Sequence, residues 1–249
     1  MIKIIISGAL GKMGRKVAEA AENYDSVKIV CGVDKTAAAL SFPVYDGFSS
    51  VKEAADVIID FSSPANLDNL LNFAKEKRCG AVLCTTGYSE SDAAKITAAA
   101  KTIPLFRSAN MSLGVNVLID LVKKAAATLT GFDAEIVEMH HNEKVDAPSG
   151  TALMIADGIK QVLPEKYNVY GRNGKTGKRD KNEIGIHALR GGSVVGEHQV
   201  IFAGKNETVV ISHSAADRSV FAEGAVKAAI YLSDKKSGLF DMSDMINGR

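Results

Sequence analysis

This chain has little that would staple it, charge it or hold it in a membrane. Its 249 residues include three cysteines, Cys31, Cys79 and Cys84, an odd number with no C-x-x-C spacing. Neither a disulfide framework nor a thiolate metal site is expected, and the three read as buried thiols of a reducing compartment. Lys and Arg number 30 against 29 Asp and Glu, a formal charge of +1. That balance offers no global field to a polyanion, so neither nucleic acid nor a membrane surface is an expected partner. No apolar run approaches the roughly 18 residues of a spanning helix. Met1 leads at once into the strand-like Ile2-Lys-Ile-Ile-Ile6, with no charged leader or cleavage site. The expectation is a soluble, cytoplasmic protein. Internal repeats and low-complexity tracts are also missing, while the length suffices for one or two domains with a full hydrophobic core.

What is present is alternation. Strand-length apolar runs at 2–7, 27–33, 57–61, 81–85 and 103–106 take turns with helical periodicity from about Lys12, after Ser63-Pro64, and around 91–101. Ser63 reads as a helix cap with Pro64 in the first turn. This order predicts an α/β fold with a Rossmann-type parallel sheet covered by helices on both faces. After Asn110 the pattern changes: a helix over 113–129, a β-branched strand from Asp133 to His140, a second helix, then strands at 184–189, 199–203 and 208–214. These make a second α/β domain with a mixed sheet, and a last helix over 219–232 is free to return to the first. The stretch from Lys166 to Lys181 is basic and glycine-containing. It reads as a solvated mobile loop, with a lid over an anionic ligand as the sharper alternative and a nucleic-acid patch as the weaker one.

Directly after the first strand comes Gly8-Ala9-Leu10-Gly11-Lys12-Met13-Gly14. Glycines at a strand-to-helix turn let a pyrophosphate approach bare backbone at a helix N-terminus. Leu10 stands where the common G-x-G-x-x-G fingerprint has its second glycine, so a glycine-rich turn without ligand is the competing reading. Asp34 ends the second strand, where an acid accepts from the adenosine ribose. Lys35 beside it suits a 2′-phosphate, which leaves the choice of cofactor open. Cys84-Thr85-Thr86-Gly87 and Ser108-Ala109-Asn110-Met111 follow two further strands, at the carboxyl ends where dinucleotides lie in such sheets.

The densest chemistry is in Glu138-Met-His140-His141-Asn-Glu-Lys144-Val-Asp-Ala-Pro-Ser149-Gly150-Thr151-Ala152. His140 and His141 at a strand end should face opposite ways and do different work. Ser149 is a natural helix N-cap, with Asp146 as competitor. Backbone amides at Gly150 and Thr151, near the Lys144 ammonium and a titratable ring, suit a carboxylate that is bound and chemically worked on. The bland alternative is a turn before a capped helix. Adjacent strand histidines diverge and lack suitably spaced partners, so no metal is assigned. His187, His198 and His213 fall in or near later strands, where structural roles are favoured.

Two other function classes compete. A short-chain dehydrogenase needs Tyr-x-x-x-Lys, which occurs at Tyr24/Lys28 and Tyr231/Lys235; neither placement fits, and the glycine spacing is wrong for that family. A non-enzymatic nucleotide-binding redox sensor would keep the Gly8 loop but has no need of His140 and Lys144 together.

These pieces resemble the 4-hydroxy-tetrahydrodipicolinate reductase family, also called dihydrodipicolinate reductase. The resemblance rests on Gly8-x-x-Gly11-x-Met13-Gly14, Thr85-Thr86-Gly87, Ala109-Asn110-Met111-Ser112-Leu-Gly114-Val-Asn116 and Ser237-Gly-Leu-Phe240-Asp241. Above all it rests on His140-His141-x-x-Lys144-x-Asp-Ala-Pro-Ser149-Gly150-Thr151-Ala. It implies a dinucleotide-binding domain over 1–111, completed by 218–249, and a substrate-binding and oligomerisation domain over 112–217 that builds a homotetramer. It also implies NADH and/or NADPH as cofactor and a small cyclic dicarboxylate as substrate, in lysine and diaminopimelate synthesis. By the same resemblance His140 and Lys144 are catalytic, and His141, Ser149, Gly150 and Thr151 bind substrate. Gly8, Ala9, Leu10, Gly11, Lys12, Met13, Asp34, Lys35, Cys84, Thr85, Thr86, Ser108, Ala109, Asn110 and Met111 bind cofactor. Cys84 stands where many relatives have Gly.

Overall fold

The computed structural model describes residues 1–248. Their contacts divide the chain into two compact units, one running to Leu113 and resuming at Ser219, the other spanning Gly114–Arg218.

The first unit is built on β1 (Ile2–Ser7), β2 (Val27–Val33), β5 (Val57–Asp60), β6 (Gly80–Leu83), β7 (Pro104–Arg107) and β13 (Gly238–Phe240). Short β3 (Ala38–Ala39) and β4 (Pro43–Tyr45) complete the sheet order β13-β7-β6-β5-β1-β2-β4-β3, parallel except where β3 meets β4. Side chains alternate across a strand, and here both faces are apolar. Ile4, Ile6, Val57, Ile59, Val82 and Phe106 pack against α1 (Lys12–Ala21) and α6 (Ser219–Leu232). Ile5, Ile58, Ala81, Leu83 and Leu105 pack against α2 (Leu67–Lys77) and α3 (Glu90–Ala99). The returning α6 therefore forms a large part of the hydrophobic core of the first unit. Cys31 and Cys79 are buried and Cys84 half-buried, all as free thiols.

The Ser63-Pro64 signal works differently from its sequence reading. Pro64 opens a short 3₁₀ turn, Pro64–Asn66, ahead of α2, and the Ser63 side chain makes no capping bond. A true capping box lies at Ser89, whose hydroxyl accepts from the Asp92 N–H while the Asp92 carboxylate takes the Ser89 N–H.

The second unit holds α4 (Leu113–Thr128), β8 (Asp133–His140), α5 (Gly150–Val162), β9 (Tyr167–Tyr170), β10 (Glu183–Arg190), β11 (Gly196–Ala203) and β12 (Thr208–Ala215). Its sheet runs β12-β11-β8-β10-β9. β9 and β10 are parallel to β8, while β11 is antiparallel to both β8 and β12. Ala134, Ile136, Ile184, Ile186, Val200 and Phe202 line its inner face and pack on α4 and α5. The opposite face, which includes Leu189 and Val210, is open.

The basic stretch from Lys166 to Lys181 is not simply a solvated loop. Its first part is β9, and three of its cations are engaged, while Lys175, Lys178 and Lys181 are exposed. Lys166 is buried and its Nζ donates to the Lys181 carbonyl oxygen at 2.7 Å. Arg172 and Arg179 both reach the Glu135 carboxylate. Fixed carboxylate partners on β8 and β10 replace solvent as their counter-charge. Among the described residues no helix is long and apolar enough to cross a membrane.

Candidate active site

All the cofactor-site expectations fall in the first unit, where β1, β2, β6 and β7 end. Gly8 adopts φ +81°, which only glycine takes without strain, and a Cβ there would lie 2.7 Å from the Phe61 carbonyl oxygen. A Cβ on Gly14 would collide with the Gly8 carbonyl oxygen. The turn therefore needs two of its glycines for its own packing, and it presents the start of α1 as an anion site. Leu10 fills the place of the missing glycine by donating its N–H to Asp34 Oδ2 at 2.8 Å. Asp34 Oδ1 accepts from the Lys35 N–H at 2.7 Å. A carboxylate has about four acceptor positions, so Asp34 braces the glycine loop and keeps capacity for a sugar hydroxyl.

Two clefts open along this edge. One, of about 640 Å³, includes Gly8, Leu10, Gly11, Asp34 and Lys35 in its lining. The other, of about 400 Å³, is lined by Met13, Cys84, Thr85, Thr86 and Ser108 to Met111, with Phe221. Ala9 and Lys12 line neither: Ala9 is packed in the core and Lys12 is exposed. Phe61 and Ser62 border both clefts. They follow β5 directly, so the rule that ligands sit at strand carboxyl ends would have found them. Beneath them, buried Asp60 accepts from the Ser62 hydroxyl at 2.6 Å and the Thr85 hydroxyl at 2.7 Å. The glycine cradle and its clefts at the strand ends fit a dinucleotide.

The second unit builds a different kind of site. On the inner face of its sheet, the apolar residues under α5 give way, toward the carboxyl end of β8, to Glu138, His140, Arg190, His198 and His213. Their placement follows from register: His140 lies opposite Arg190, and His198 opposite both Glu138 and His213. Ser149 caps α5, accepting from the Ala152 N–H at 3.2 Å. Its hydroxyl also meets His198 Nε2 at 3.0 Å, and its own N–H donates to Glu138 Oε1 at 2.9 Å. Glu138 is wholly buried, receives Arg190 through both guanidinium nitrogens and sits 2.6 Å from His140 Nδ1. Burial pushes the Glu138 carboxyl up, but Arg190, His140 and the Ser149 N–H outweigh it, and the group titrates below the usual range. Burial above all, then the nearness of His140, His213 and Lys144, pushes His198 down to about 4 against the pull of Glu138, so it is neutral at pH 7.

His140 is thus buried in this network, whereas His141 lies just past the strand and is half-buried. Gly150 and Thr151 form the first turn of α5, the end of the helix that carries its positive dipole. Lys144 donates to Asp146 Oδ1 at 2.7 Å, and this bond lowers the Asp146 carboxyl. Asp146 therefore pairs with the lysine, while Ser149 takes the cap.

The family models for dihydrodipicolinate reductase match this chain over residues 2–111 (N-terminus) and 114–246 (C-terminus). The chain belongs to the dihydrodipicolinate reductase family. The 4-hydroxy-tetrahydrodipicolinate reductase of Caldanaerobacter subterraneus subsp. tengcongensis is 57% identical over 99% of this chain and 98% of its own length. That of Clostridium tetani is 48% identical with the same coverage. A solved dihydrodipicolinate reductase from Paenisporosarcina sp. TG-14, with dipicolinate bound, superposes with TM-score 0.83 at 25% identity and 97% coverage of both chains.

The sequence alone gives no role to Glu138 or Arg190 and only a structural one to His198. Glu138 was within reach, because residues two apart on a strand share a face and His140 was already singled out. Arg190 and His198 come from other strands, and their approach depends on a pairing that no local pattern announces.

Proposed function

We propose that this chain reduces 4-hydroxy-tetrahydrodipicolinate to tetrahydrodipicolinate with NADH or NADPH, in lysine and diaminopimelate synthesis. Its support is the membership just described together with one geometric observation. A buried imidazole, His140, and the amide-rich start of α5 are tied to a single carboxylate at the end of one sheet. The dicarboxylate bound to the Paenisporosarcina reductase is of the size and charge that such a corner suits.

In this reaction the ring hydroxyl leaves as water, giving a conjugated cyclic imine. A hydride adds at the carbon para to nitrogen, and the resulting enamine takes up a proton. Bound NADH or NADPH supplies the hydride; the chain's own residues supply position, charge and the proton. The Lys144 ammonium and the Gly150 and Thr151 amides hold one carboxylate, exchanging the Asp146 partner of Lys144 for the substrate. His141 and Ser149 border the same corner. His140 acts as general acid/base, since imidazoles ordinarily exchange protons near neutrality. The first unit takes the dinucleotide: the Gly8–Met13 turn holds the pyrophosphate, Asp34 and Lys35 the adenosine side, and Cys84–Thr86 with Ser108–Met111 the nicotinamide side. Four chains assemble through the open face of the second sheet, where Leu189 and Val210 are exposed, and the enzyme works in the cytoplasm. A solution mass of four chains is the expected measurement.

The test of function is oxidation of reduced nicotinamide by freshly condensed pyruvate and aspartate semialdehyde. Turnover that needs the condensed mixture supports the reductase. Cofactor binding without turnover supports a redox sensor instead. Parallel runs with NADH and NADPH fix the cofactor preference.

A further inference from the structure

His140 has two ring nitrogens, and only one can serve a substrate while the other is held. We infer that Glu138 is the positioning residue for His140: its carboxylate accepts a hydrogen bond from Nδ1–H, keeping the proton on that nitrogen, and leaves Nε2 as the nitrogen that exchanges a proton with substrate. This rests on the reading of His140 as acid/base and goes beyond it by naming the atom and the group that selects it.

Four donors converge on the two oxygens of Glu138. Oε2 meets His140 Nδ1 at 2.6 Å and Arg190 Nη1 at 2.8 Å; Oε1 meets Arg190 Nη2 and the Ser149 N–H, each at 2.9 Å. An ionised carboxylate only accepts, so Nδ1 must be the donor in that contact. Arg190 is itself locked, with Nη1 on the Leu189 carbonyl oxygen and Nη2 on that of Asp146, both at 2.6 Å. This keeps a full positive charge against Glu138 and holds the carboxyl ionised, in line with its lowered titration. The ring cannot turn over without giving up the Glu138 contact for one from carbon. On its other edge, Gly196 of β11 leaves room: a Cβ there would sit 3.1 Å from His140 Nε2.

Glu138 also sets where the proton is delivered. The carboxylate that holds the ring holds the Ser149 N–H at the start of α5, so the acid/base nitrogen and the carboxylate-binding turn share one rigid anchor. A neighbouring His–Glu pair makes the opposite choice: His187 meets Glu135 through Nε2, at 2.8 Å. Nothing about the residue pair as such dictates the tautomer. Geometry does.

NMR of isotope-labelled imidazoles in the substrate-free parent chain, with His140 assigned by its loss in His140→Gln, should find the neutral ring protonated on Nδ1. In Glu138→Gln the side-chain amide opposes donors with a donor. The His140 proton should then move to Nε2 and kcat fall by roughly 10²-fold, with the cofactor KM unchanged. A parent ring protonated on Nε2 overturns the inference, and this holds even if the variant does not fold. So does a Glu138→Gln enzyme with parental kcat, or one that loses activity and thermal stability with the Nδ1 proton retained. Failure of the underlying reading looks different: there His140→Gln itself turns over at the parental rate.

Discussion

Strand β8 carries two glutamates three residues apart, and the sheet turns them to opposite faces. On the open face, Glu135 accepts from Arg172, Arg179 and His187. On the covered face, Glu138 accepts from Arg190, the Ser149 N–H and His140. The two sets of partners are nearly the same chemically, a carboxylate with arginine and one imidazole. Burial pushes Glu135 up, but its arginines and His187 pull it down to about 2. What differs is what each carboxylate connects. Glu135 fastens the segment after β9 back onto the sheet, which is architecture. Glu138 fastens a ring to the first turn of a helix, which is where we propose the reaction centre. A His–Glu pair therefore marks a catalytic site only when it sits beside a place for substrate to bind.

The sharpest way to break this contrast is to change one histidine on each face. His140→Gln should lower kcat by roughly 10² to 10⁴ with folding intact by circular dichroism, while His187→Gln should keep the parental kcat. Equal losses would erase the distinction between the faces. Next in size, Lys144→Ala should cost about 10- to 100-fold in kcat/KM, spread over both constants, as expected for a charge-assisted hydrogen bond to a carboxylate. A change confined to the melting temperature would make Lys144 structural.

On the other face, Glu135→Gln should leave turnover intact and lower Tm at pH 7 by about 2–4 °C. The carboxyl is depressed in the folded chain, so its contribution is present above the ordinary value of 4.5 and is lost as pH falls toward about 2. The Tm gap between parent and variant should accordingly close over that window, which thermal melts at several pH values would follow. The smallest effect belongs to Asp146→Asn. Releasing Lys144 from this exposed partner should lower the substrate KM by roughly 2- to 5-fold, the worth of a surface ion pair. A raised KM would mean that Asp146 helps to hold the lysine in place.

Much of this architecture can be read from residues in order. The strand runs, the Gly8 turn and the Ser149 cap all depend on neighbours within a few positions. Backbone chemistry there is local, and local chemistry leaves a pattern. The clamp on Glu138 does not, because Arg190 is brought in by parallel pairing and His198 by antiparallel pairing with the same strand. The basic stretch misleads for the same reason. Its charge suggests solvent, and only the placement of Glu135, Asp133 and Glu183 reveals that Arg172 and Arg179 have partners. Short strands such as β3, β4 and β13 carry too few residues for any periodicity to register. Leu10 looked like a defect in a fingerprint, yet its N–H is what engages Asp34.

The return of the chain at Ser219 has a bearing on how the protein is made. Ala222, Ala225, Val226, Ala229 and Leu232 of α6 are fully buried against strands laid down near the start of the chain. Emerging from the ribosome, the amino-terminal half must wait for α6 before its hydrophobic interior closes, while the inserted unit has all its segments in hand earlier. Premature termination anywhere before α6 would thus leave one flank of the nucleotide-side sheet covered by α1 alone, however complete the other unit is.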